Sequence, residues 1–138
     1  MGAARRARRV LRGDRGSVSV ELVIATPLLL FMLLAIIQFA LWSHAEHIAQ
    51  AAASQGLAAA RAQDGTAAAG AAGAQQMLNQ LDSGPLIGAS VIADRSAISA
   101  SVRISGTAIS VVPFLHLPVH AEAVGPVERF VPDLAGGG

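Results

Sequence analysis

Leu22 to Trp42 reads LVIATPLLLFMLLAIIQFALW, and no residue in it is charged. Only Thr26, Pro27 and Gln38 interrupt the apolar run. A helix advances about 1.5 Å per residue, so the stretch covers roughly 31 Å, close to one hydrocarbon core. Core helices of soluble proteins are rarely so uniformly apolar. It therefore reads as a single transmembrane helix.

The flanks set its direction. Arg5, Arg6, Arg8, Arg9, Arg12 and Arg15 precede it, against Asp14 and Glu21. Beyond Trp42 the acids are in excess and the arginines are scattered, at Arg61, Arg95, Arg103 and Arg129. A short arginine-rich segment stays cytoplasmic. The expected location is thus the cell membrane, single-pass, with the N-terminus cytoplasmic and Ser43 to Gly138 extracytoplasmic. The basic head lacks aromatics and adjoins a membrane span, so it reads as a topology determinant in contact with anionic lipid and not as a nucleic-acid arm. The chain has no cysteine, which excludes a disulfide framework and thiolate metal sites. Its 138 residues leave room for one span and one small outer domain.

Two kinds of processing compete at the N-terminus. Ser43-His44-Ala45 offers a signal-peptidase site after the apolar run, but that run is longer than the roughly 7–15 residues of a signal-peptide core. The other possibility is a cut before the run, at Gly16-Ser17. A basic leader (1–16) would be removed, Ser17 would become the first mature residue, and Glu21 the fifth.

The segment RGSVSVELVIATPLLLFMLLAIIQFALW, Arg15 to Trp42, resembles the N-terminal signature of TadE-like proteins, pseudopilins of Tad (Flp-type) pilus systems. The pattern falls on Gly16, Glu21, Pro27, Leu28 to Leu30, Gln38 and Phe39. The family more often has glutamate where this chain has Gln38. The resemblance implies a processing site at Gly16 and Ser17 for a prepilin-type peptidase, and an assembly contact at Glu21. It implies as partners the membrane, other pilins or pseudopilins and the Tad membrane platform proteins, with no nucleic acid and no small-molecule substrate. Glu21 also has a simpler reading, a carboxylate at the membrane edge reaching headgroup water. Pro27 removes a backbone hydrogen bond and crowds the carbonyl of Val23. It is either a mild helix kink without a role or a flexible point for transfer from bilayer to assembly, with the Thr26 hydroxyl at hand for the freed group.

Downstream, the composition predicts a helical stalk from Ser43 to about Ala62. Ala45, Ala49 and Ala53 are spaced by four, as are Ala52, Gly56 and Ala60. Such spacing allows close helix packing, but in so alanine-rich a stretch chance explains it more simply. Asp64-Gly65-Thr66 breaks the helix, and Thr66 is placed to cap a second one. Within Ala67 to Asp82 only Gln75 to Leu81 has convincing helical character, because Gly70 and Gly73 weaken the rest. Ile98, Ala100, Val102 and Ile104 alternate with polar residues, the mark of a half-buried strand. An earlier strand at Val91 to Ala93 would turn at Asp94-Arg95-Ser96. A third is expected near Ala108 to Val112, an apolar connector at Pro113 to Pro118, and another alternation at Val119 to Ala123. The fold class is α+β and membrane-anchored: a long N-terminal helix, a second short helix, then a small, mostly antiparallel sheet. The expected divisions are 1–16 leader, 17–42 signature and span, 43–82 helical stalk, 83–130 sheet domain and 131–138 flexible tail.

Chemistry-bearing constellations are weak. His44 and His47 share a helix face beside Glu46, without a further defined ligand. His120 and Glu122 alternate on a strand, as an exposed polar face would. There is no nucleophile elbow and no phosphate-binding glycine loop. The expectation is no enzyme, no cofactor and no metal. Three readings follow: a pseudopilin or assembly component, a generic single-pass anchored binding protein, or a secreted protein cut after Ala45.

Overall fold

The structure is a computed structural model that describes residues 3–82 and 84–129, with side chains described from residue 16 onward. The side chains of the leader arginines and the tail at 131–138 lie outside the described residues. Five elements follow in order: α1 (Ala3–Arg61), α2 (Ala67–Gln80), β1 (Leu86–Arg95), β2 (Ser99–Ala108) and β3 (Leu117–Pro126). The fold is α+β, with a three-stranded antiparallel sheet.

The chain divides into two compact units, residues 1–37 and 38–138. The first is the N-terminal part of α1. Gly13 to Gly16 does not end the helix as a breaker would. A mid-helix glycine costs only about 1 kcal/mol, which good helix formers on either side outweigh. The helix also passes through Pro27. The Thr26 hydroxyl bonds to the Leu22 carbonyl at 2.7 Å, not to that of Val23. Apolar side chains from Leu22 to Phe31 are largely exposed, Val23 at 73%. The segment from Gly16 on is long and apolar enough to cross a membrane.

In the second unit, the remainder of α1 and all of α2 cover one face of the sheet. Ala45, Ile48, Ala49, Ala52 and Ala53 of α1 meet Ala74 and Leu78 of α2 and Val102, Ile104, Val119 and Ala121 of the sheet in one core. The four-residue spacing of small side chains is therefore a packing face and not a by-product of composition. Ala45, Ala49, Ala52, Ala53 and Ala60 are all fully covered. A Cβ on Gly56 would stand 2.7 Å from the Gly70 carbonyl oxygen and 2.8 Å from the Ala74 Cβ. The two helices touch backbone to backbone there, which larger residues forbid. That contact also corrects the reading of α2. It is helical from Ala67, because Gly70 sits at the crossing and Thr66 caps the first turn, accepting from the Ala69 amide at 2.9 Å. The local glycine cost is offset by burial against α1.

The strands order β1-β2-β3, with β2 central. Ala100, Val102, Ile104 and Ala108 of β2 and Val119 and Ala121 of β3 face the helices. The outward face holds Ser99, Ser101, Arg103 and Ser105, with His120 and Glu122 opposite the last two. Several strand expectations need correction: Ile98, 71% exposed, precedes β2 and is not on its buried face. The first strand begins at Leu86 and not Val91, because a bulge between Ile87 and Ser90, with Gly88 at φ +63°, breaks the alternation. Asp94 and Arg95 are paired strand residues. The turn lies one step on, where the Ser96 hydroxyl accepts from the Ser99 amide at 3.0 Å. Residues 109–112 form no strand: the Ile109 carbonyl and the Val111 and Val112 amides bond to the side chain of Gln38 on α1, and the Ile109 amide to Pro85. The last strand instead starts at Leu117 and includes Pro118, which an edge strand tolerates.

Candidate functional site

Gln38 is the one buried polar side chain among the described residues, 2% exposed. Its Nε2 donates to the Ile109 carbonyl at 3.1 Å. Its Oε1 accepts from the Val111 amide at 2.8 Å and the Val112 amide at 3.4 Å. One primary amide thus serves both polarities of a loop. One turn further along α1, the Trp42 indole Nε1 donates to the Pro118 carbonyl at 3.1 Å. These bonds fasten both ends of the β2–β3 loop to α1. Pro85 completes the cradle by accepting from the Ile109 amide at 2.7 Å. The sequence marks Gln38 as an interruption of the apolar run and a departure from the usual glutamate, but not as a clamp on a loop. Its partners are more than seventy residues away, and no local signal announces them.

At the other end, the end of α1 is tied down by one guanidinium and one backbone hydrogen bond. Arg95 donates to the Ala62 carbonyl at 3.2 Å, and the Glu128 amide donates to the Arg61 carbonyl at 2.9 Å. Arg61 and Glu128 also approach within 3.6 Å, an exposed pair worth little by itself.

Gly16, Ser17 and Glu21 lie in the first unit, all exposed and all helical. Ser17 and Glu21 are four residues apart and share one helix face. A Cβ on Gly16 would meet nothing within 4 Å, so the described residues make no steric demand for glycine there.

His44 and His47 are exposed on α1, and Glu46 is half-buried. Among the described residues, no three His, Asp or Glu side chains gather where they could hold a metal ion. Glu122 is bound to Arg103 across the β2–β3 pair at 2.9 Å. That hydrogen bond, and then the carboxylate charge, raise the Arg103 guanidinium above its ordinary value. His120 is exposed beside them on the same face. A shallow depression bordered by Gln55, Gly73, Gln76, Met77 and Gln80 holds no titratable group.

No curated protein and no solved structure matches the chain. Residues 16–58 match the family model described as TadE-like protein; Gly16, Glu21, Pro27, Gln38 and the small residues of α1 from Ala45 to Gly56 lie within the match.

Proposed function

We propose that the chain is a minor pseudopilin or assembly component of a Tad (Flp-type) pilus and secretion system. It is anchored by the apolar run of α1, with the N-terminus cytoplasmic and the sheet unit outside. A prepilin-type peptidase cuts between Gly16 and Ser17, and Glu21 serves assembly with other pilins, pseudopilins and the membrane platform.

The observation that carries this reading is the TadE-like match at 16–58, which opens on Gly16 itself. Two physical points support it. Glycine at position 16 is not required by packing within the described residues. A requirement for it would come from outside, such as a narrow peptidase site at the bilayer surface. Cleavage of a helical peptide bond also needs local unwinding, and glycine lowers that cost by about 1 kcal/mol.

The secreted alternative is disfavoured by a specific observation. Ala45 is fully buried within α1, and a cut after it would remove Gln38 and Trp42, the two side chains that hold the β2–β3 loop.

Intact mass spectrometry of the protein from its own cells tests the proposal. The expected N-terminus is Ser17, and Gly16→Phe should leave residues 1–16 attached. A wild-type chain retaining those residues in cells with active peptidase sinks the processing step. An N-terminus at Glu46 would favour secretion.

A further inference from the structure

We propose that the β2–β3 loop, residues 109–116, is immersed in the lipid bilayer, in the leaflet that α1 leaves at Trp42, with Phe114 and Leu115 among the acyl chains. This rests on the reading of α1 as a membrane span.

The depth of the loop follows from what holds it. Gln38 lies inside the apolar run, four residues before Trp42, which is about 6 Å along the helix axis toward the hydrocarbon. Helical side chains tilt toward the N-terminus, so the amide stands no shallower than its own Cα. That amide holds the Ile109 carbonyl and the Val111 amide. The loop backbone is therefore level with a buried turn of the span. Trp42, of a residue type that settles at the membrane–water interface, fixes a second level through Pro118.

The composition of the loop agrees with that depth. Between Arg103 and Glu122 the chain has no Asp, Glu, Lys or Arg. Ile109 and Val111 are each 41% exposed, Leu115 is 37% exposed and Phe114 98%. In water this would be an apolar patch with nothing to cover it. Phe114 also adopts φ +65°, a conformation that bulky residues avoid. Its ring gains nothing from the protein for that strain, but gains burial if lipid surrounds it. Irregular backbone in a bilayer must have its polar groups paired. Here four of the loop's seven N–H groups, those of Ile109, Val111, Val112 and Leu115, have acceptors, and Pro113 has no N–H. The patch is also continuous with the helix at the same level, where Phe39 is 64% exposed and its ring lies 5.9 Å from that of Trp42. A protein partner on Phe114 would itself have to sit at bilayer depth, whereas lipid is already there.

The chain lacks cysteine, so single-cysteine variants can carry a polarity-sensitive fluorophore. Phe114→Cys and Leu115→Cys report the loop. Leu30→Cys reports the span. Ile98→Cys, 71% exposed at the opposite end of the sheet, is an apolar control. The full-length protein is reconstituted at high lipid excess in phosphatidylethanolamine–phosphatidylglycerol vesicles containing nitroxide-labelled lipids. Blue-shifted emission at 114 and 115, with quenching at least about fivefold stronger than at 98, is the expected result. Aqueous emission at 114 and 115 with Leu30 quenched overturns the loop proposal and leaves the span standing. Blue-shifted emission without lipid quenching, or seen only when protein is crowded, assigns the patch to another copy and overturns it too. An unquenched Leu30 removes the span, and the loop proposal with it.

Discussion

The amide of Gln38 does what neither an apolar residue nor an ionised glutamate can do, since it donates to one backbone group and accepts from two others. Gln38→Ala would leave the Ile109 carbonyl and the Val111 amide without their partner, a cost of about 1–3 kcal/mol. For a unit of this size the melting temperature should fall by roughly 4 °C or more, read by circular dichroism in detergent. Gln38→Glu can keep both bonds only while its carboxyl is protonated. Its melting point should lie near wild type at low pH and fall as pH rises and the carboxylate forms against the Ile109 carbonyl. An unchanged melting point for the alanine variant would show that the loop is held by something else. Glu21 is a different case: it is exposed on α1 and carries no packing within the described residues. Its proposed role is in assembly, where an amine freed at Ser17 of a neighbouring copy, with a reference pKa near about 8, would be mostly cationic and could neutralise it. Glu21→Ala and Glu21→Gln should leave insertion and cleavage intact and reduce incorporation into the pilus machinery. Normal piliation with both variants would favour a carboxylate that only reaches headgroup water.

The helix pair shows where local sequence misleads. Gly70 and Gly73 weaken α2 by propensity, and the alanine spacing on α1 is what chance gives in such a composition. Yet Gly56 and Gly70 meet backbone to backbone, and that contact explains both. Gly56→Val should therefore cost about 1–3 kcal/mol by overpacking, with Ala58→Val, on the exposed side of the same turn, within about 0.5 kcal/mol of wild type. Denaturant melts of the two variants, compared at equal slope, check this, and equal midpoints would mean the crossing yields more easily than the distances imply. What was legible in the sequence was whatever is local to a single element: the apolar run, the Thr66 cap, and the alternation from Ala100 to Ile104. What was not legible depended on a partner far along the chain. The strand expected at residues 108–112 has the β-branched content of a strand, but its backbone groups are claimed by Gln38 and Pro85. The bulge at Gly88 hid the start of β1 in the same way, by breaking the period on which strand recognition rests.

For the molecule entire, the proposed orientation, N-terminus cytoplasmic and sheet unit outside, rests on the arginine asymmetry. Six arginines precede the apolar run, and four are spread through the ninety-six residues after it. Orientation follows positive charge within about 15–20 residues of the span ends. On the N-terminal side Arg5, Arg6, Arg8, Arg9, Arg12 and Arg15 all fall inside that window. On the other side only Arg61, nineteen residues beyond Trp42, reaches its edge, and it lies at the end of α1 against Glu128. The bias is thus nearly one-sided, and a reporter fused after Gly138 should be active if it folds only outside the cytoplasm and silent if it works only inside. Replacing Arg5, Arg6, Arg8 and Arg9 by glutamine should produce a mixed population, because Arg12 and Arg15 remain. A cytoplasm-only reporter active on the wild-type chain would reverse the orientation. It would also put the Gly16-Ser17 bond on the wrong side for the proposed peptidase, so the processing and assembly readings would fall together.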